Sequence, residues 1–132
     1  MDKHYEEKRA LLTKNLLNMK KEGFRIFINR PDRFREYNYG IISDGTDIVY
    51  VQIPRRSTLF ETSFQYVPSK KNGTGIQTIE EGYGYEKILP EVFEEVVKIG
   101  RSYACASGIR CYTGIEEYFS SRPSAKDLYQ EL

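Results

Sequence analysis

Residues 39–53 read YGIISDGTDIVYVQI, two β-branched runs on either side of an Asp-Gly pair. That pair is among the stronger short-range hairpin signals, because glycine accepts the positive φ that a tight turn demands. The segment is therefore predicted to form a hairpin. Its second arm constrains the fold most. Val49, Val51 and Ile53 fall on one face, while Ile48 and Tyr50 fall on the other. A strand that carries apolar groups on both faces suits the centre of a sheet.

The flanking segments supply the other elements. Tyr5, Leu12, Leu16 and Met19 recur at helical spacing, with acids early, Lys20 and Lys21 late and Gly23 as the stop, so a helix precedes the sheet. FRIFINR (24–30) is a strand ended by Pro31. LFETSFQYV alternates, with Phe60, Phe64 and Tyr66 on one face, and pairs with TGIQTIE as a second hairpin; EEGYGYEK then reads as a loop. In LPEVFEEVVKIGRSYACA, Pro90 fits a first helical turn, and Val92, Phe93, Val96, Val97, Gly100, Tyr103 and Ala104 mark a broad apolar stripe. Gly100 weakens a helix by about 1 kcal/mol relative to alanine, so close approach to the sheet is its expected purpose. Capping-box patterns at Thr113–Glu116 and Ser124–Asp127 predict two short terminal helices, separated at Pro123. Strands in a run followed by helices in a run imply an α+β fold. The expected sheet is antiparallel with about five strands, preceded by one helix and followed by one long and two short helices.

The 132 residues, 39% apolar with 18 Tyr and Phe, are predicted to form a single domain, residues 1–132, with no metal or disulfide staple. The apolar runs are too short to cross a bilayer, and the charged N-terminal segment does not read as a signal peptide; a cytoplasmic protein with no membrane partner is expected. Cys105 and Cys111 match neither a redox pair nor half of a usual zinc site, and free thiols are expected in that compartment. His4, the single histidine, is assigned no metal and no catalytic role. The net charge of +1 is uneven. Residues 1–72 hold 14 Lys and Arg against 9 Asp and Glu, and the remainder holds 6 against 10.

Between the arms of the second hairpin lies SKKNGTG, residues 69–75. A Walker phosphate loop needs its lysine after the last glycine and a helix beyond it. Here Lys70 and Lys71 precede the glycines and a strand follows, so the segment is read as a turn around Asn72-Gly73 with the lysines at its tip. FQYVPSKKNGTGIQ (64–77) also resembles a motif in small uncharacterised proteins carried by phages and plasmids, which often have His or Tyr and Phe where this chain has Val67 and Ile76. The resemblance covers about a fifth of the chain. It implies a mobile-element setting inside a bacterial host cell, where small non-enzymatic proteins block defence machinery by binding it, as anti-CRISPR proteins do.

Three functional classes follow. The first is a protein-binding inhibitor acting on a host protein or ribonucleoprotein complex, because eleven tyrosines and clustered arginines are the residue types that anchor interfaces. Its expected contact residues are Arg55, Arg56, Lys70, Lys71, Asn72 and Tyr66; Pro54 throws the two guanidiniums into a loop, where they can grip a carboxylate or phosphate. The opposing reading is that the tyrosines line the wet edges of a sheet. The second class binds single-stranded nucleic acid through Arg25, Arg30, Arg33, Arg35 and the same loop cations, interleaved with Phe27, Phe34, Tyr37 and Tyr66. The third is an enzyme using Glu80, Glu81, Glu86, Glu116 or Glu117 as paired carboxylates. With no nucleophile, base and orienter together in the sequence, no catalytic residues and no cofactor are expected.

Overall fold

A computed structural model describes the backbone of residues 3–30, 38–53, 61–68 and 76–132, and the side chains of 6–30, 39–53, 61–68 and 84–132. Helix α1 (Lys3–Lys21) leads into strands β1 (Arg25–Asn29), β2 (Asn38–Ser43), β3 (Ile48–Gln52), β4 (Glu61–Tyr66) and β5 (Ile76–Gly84). A 3-10 turn (Tyr85–Lys87) is followed by α2 (Pro90–Ala106), α3 (Ile115–Ser121), α4 (Pro123–Leu128) and a short strand β6 (Tyr129–Glu131). The sheet order is β5-β4-β3-β2-β1-β6 and each pairing is antiparallel, so β1 to β5 form a simple meander. The fold is α+β, with one helix before the sheet and one long and two short helices after it.

β3 lies inside the sheet, and its two apolar faces explain the layering. Val49 and Val51 join Ile26, Ile28, Ile42, Phe64 and Tyr66 beneath Leu12, Leu16 and Met19 of α1 and Phe93 and Val96 of α2. Ile48 and Tyr50 join Phe27 and Ile41 beneath Ile115 and Tyr118 of α3 and Ala125 of α4. Helices thus cover both faces. The hairpin turn behaves as its sequence demands. Gly45 adopts φ +99°, and the Asp44 carboxylate accepts the N–H groups of Thr46 and Asp47 at 2.9 and 2.7 Å.

A bulge between Asn38 and Gly40 adds one residue to β2. By strict alternation Tyr39 would lie with Ile41, but the extra residue turns it to the α1 face, where it is buried with Ile42. Its hydroxyl bonds Thr13, whose own proton goes to the Arg9 carbonyl at 2.7 Å, so Tyr39 is the donor. α1 ends as Gly23 requires: the N–H groups of Gly23 and Phe24 bond back to the carbonyls of Lys20 and Met19.

Four local expectations are corrected. Residues 80–84 are not loop, because pairing with β4 carries β5 to Gly84, opposite Glu61. Thr113 does not cap α3; the N-cap is Gly114, and the Thr113 hydroxyl donates to Glu117 at 2.9 Å instead. Ser124 lies inside α4, which starts at Pro123, and the chain beyond Leu128 is strand, not helix. On α2 the buried stripe is Phe93, Val96, Gly100 and Ala104; Val97 is half-buried at its margin, and Tyr103 is exposed. The expectation for Gly100 holds. A Cβ there would overlap the Cβ and ring of Tyr66, so α2 and β4 meet at a distance that only glycine permits.

Candidate functional site

Five of the six expected contact residues, Arg55, Arg56, Lys70, Lys71 and Asn72, lie outside the described residues. The sixth, Tyr66, is a core side chain with 1% exposure. Its hydroxyl donates to Asp47 at 3.1 Å. Asp47 closes the β2–β3 turn, and Arg101 of α2 reaches it with two parallel bonds, Nε to Oδ1 at 2.9 Å and Nη2 to Oδ2 at 3.0 Å. Burial pushes the Tyr66 phenol up, helped by Cys111 and by the Asp47 charge, so the ring stays neutral and donates. The arrangement is a clamp of α2 onto the hairpin. Cys105 and Cys111 are free thiols.

The clamp makes a testable demand. Breaking a buried ion pair generally costs 3–5 kcal/mol, but the Arg101 side chain is 50% exposed and water screens part of that. Arg101→Met is expected to lower stability by about 2 kcal/mol, read as a lower urea midpoint with an unchanged slope. An unchanged midpoint would show that α2 needs no polar tie.

The opposite face carries a second polar cluster. Tyr50 and Tyr118 share a hydrogen bond of 2.6 Å between hydroxyls, Tyr112 meets Tyr118 edge to face at 5.6 Å, and the Arg122 guanidinium lies 5.9 Å from the Tyr118 ring centre and donates to the Tyr112 hydroxyl. Burial raises the pKa of Tyr50 and Tyr118, and likewise of Tyr129. Burial also pushes Tyr85 up to about 12. Eight of the eleven tyrosines have described side chains. Seven of them, Tyr39, Tyr50, Tyr66, Tyr85, Tyr112, Tyr118 and Tyr129, are buried, and Tyr103 is 57% exposed. The described tyrosines are thus core residues far more than wet-edge ones, and sequence composition could not tell the two apart.

Comparison of the chain with family models, with curated proteins and with solved structures returned no match. The remaining candidates are therefore placed by geometry alone. For a nucleic-acid face, Phe27 and Tyr66 are buried and Phe34 and Tyr37 lie outside the described residues. Arg25 is held by Glu131 through Nε and Nη2 at 2.8 and 2.9 Å and by Glu116 through Nη1 at 2.6 Å. For carboxylate chemistry, Glu80 and Glu81 have no described side chains and Glu86 is exposed. Arg25 holds the Glu116 carboxyl below its usual range, and the Thr113 hydroxyl with Arg110 does the same for Glu117. Both are therefore held in the charged form. Among the described residues, no group of three His, Cys, Asp or Glu side chains is placed to hold a metal, and no helix is long and apolar enough to cross a membrane.

What composition did not reveal is the outer flank of α2. Ile99 and Tyr103, one turn apart, are 42% and 57% exposed. Residues two apart on a helix point about 200° from each other. Because Arg101 faces the β2–β3 turn, Ile99 and Tyr103 face away from it, and α2 lies across β3, β4 and β5. β5 ends the sheet and, among the described residues, pairs with β4 alone. An apolar helix flank therefore stands on the side of the sheet where a strand edge ends it.

Proposed function

We propose that this is a non-enzymatic binding protein acting through protein–protein contacts, an inhibitor of a host defence complex in the manner of anti-CRISPR proteins. The exposure of Tyr103 beside Ile99 carries the reading. Seven described tyrosines are sequestered in the core, whereas this one is more than half exposed to solvent. Tyrosine is enriched among residues that dominate interface energetics, because it offers a large rigid contact at low entropy cost. The strand edge beyond it adds backbone groups that a partner can pair with. The phage and plasmid resemblance of residues 64–77 supplies the setting, and the burial of Phe27 and Tyr66 weakens the nucleic-acid reading by removing two stacking groups.

The test is capture from bacterial lysate on immobilised protein, with and without nuclease, against an Ile99→Glu/Tyr103→Ala variant. A hot-spot pair worth about 2 kcal/mol makes capture of the same partner roughly 30-fold weaker in the variant. Both positions are exposed, so the melting temperature should hold within a few degrees. Capture that survives the double change, or that vanishes with nuclease, would refute the proposal.

A further inference from the structure

A groove of about 410 Å³ opens where α3 and α4 meet the β1–β6 side of the sheet. Its floor is Phe27, tilted against Phe119 with ring centres 5.0 Å apart. The two ends differ in charge. At one, Arg25 is shared by Glu116 and Glu131, which leaves one net negative charge. At the other stand Arg30 and Lys126, both exposed and neither paired with a carboxylate among the described residues. β6 ends the sheet on this side and, among the described residues, pairs with β1 alone.

We propose that this groove seats an extended segment of a partner polypeptide, with an acidic side chain at the Arg30–Lys126 end and an apolar one beside the half-buried Phe119. Its volume of about 410 Å³ is at the lower end of pockets that hold small groups, which suits single side chains of an extended segment. An extended segment beside β6 continues the sheet and turns every second side chain to the groove face, next to Tyr129 and Glu131. The charge difference then sets direction, since a carboxylate is drawn to the two cations and repelled by the Glu116–Glu131 end. A nucleotide fits less well. Phe119 lies against the Phe27 ring and the Arg25 guanidinium stands 5.4 Å from its centre, so a base finds no open face to stack on. The groove is on the opposite face and the opposite edge of the sheet from the Ile99–Tyr103 flank, and it stands without that reading.

Amide chemical shifts of the full chain, titrated with an end-blocked pentapeptide alternating glutamate and leucine, test the site. Phe119, Lys126 and Gln130 are expected to shift in the acidic peptide and not in its lysine counterpart. An Arg30→Glu/Lys126→Glu variant should bind about tenfold or more weakly, and Lys126→Gln alone by a smaller factor that keeps the test open should the double variant misfold. Flat titrations, an equal response to the lysine peptide, affinity unchanged in the variants, or AMP taking the groove in preference to the peptide would each overturn the proposal. A flat titration beside lysate capture that depends on Tyr103 sinks the groove and leaves the α2 flank standing.

Discussion

Gly100→Ala is expected to destabilise the protein by about 2 kcal/mol, although alanine is the better helix former by about 1 kcal/mol. The two effects oppose each other, so the sign of the result decides between them. Gly100 is buried in α2, and a Cβ added there would overlap the Cβ and near ring atoms of Tyr66, the part of that side chain with least freedom to move. Nor can the ring swing aside, because its hydroxyl is tied to Asp47, which Arg101, the next residue of the same helix, grips. Relief requires α2 to lift from β4, which loosens Phe93 and Val96 as well. Urea unfolding reads the outcome directly. A raised midpoint would mean that the helix has room and that Gly100 merely weakens it. Tyr66→Ala should remove most of the penalty, and a double-mutant cycle would show that coupling.

The largest single loss is expected for Val96→Asp, at about 4 kcal/mol or more. Val96 is 0% exposed and belongs to the same buried cluster as Val49, Val51 and Phe64, so a carboxylate there would be cut off from water. Against a total stability of roughly 5–15 kcal/mol for a chain of this kind, such a loss leaves a marginal or unfolded protein. Val97→Asp makes the control. Val97 is half-buried beside Lys98 and Arg101, so a carboxylate there reaches water and cations and should cost far less. Thermal melts followed by circular dichroism should separate the two by more than ten degrees or so. Near-identical melting of the two variants would mean that the buried stripe of α2 is wrongly centred.

The contrast between neighbouring residues 96 and 97 shows what the sequence could disclose. Helical spacing located the apolar stripe of α2 and the residue types within it, but the centre of that stripe depends on where α2 crosses β4. Only the contact of Gly100 with Tyr66 reveals that crossing, and Tyr103, which spacing alone puts in the stripe, lies outside it. The β2–β3 hairpin was legible because its determinants are local: Asp44 and Gly45 make the turn with their own atoms. β6 was not. Three residues carry no periodicity, and they become a strand through pairing with residues 27–29 and through the bond from Arg25 to Glu131. The Asp47–Arg101 clamp joins positions 54 apart in sequence, and nothing in either neighbourhood announces the other. Functional surfaces suffer the same blindness. Eleven tyrosines suggested an interface, yet composition says nothing about direction, and the exposure of Tyr103 beside Ile99 is a property of the assembled helix layer.

β6 also bears on how the chain is made. The other ladders join strands adjacent in sequence, but this one sets residue 27 against residue 131. Synthesis delivers β1 about a hundred residues before its outer neighbour, while domains fold as their segments emerge. A nascent chain with its meander already formed therefore carries an unpaired β1 edge, with the backbone of Ile26 and Ile28 open to any passing strand. Only when residues 129–131 leave the ribosome is that edge covered, and the Arg30 amide and Ile26 carbonyl find their partners in Leu128 and Leu132. Premature termination just short of β6 would thus yield a nearly complete sheet that is prone to aggregate.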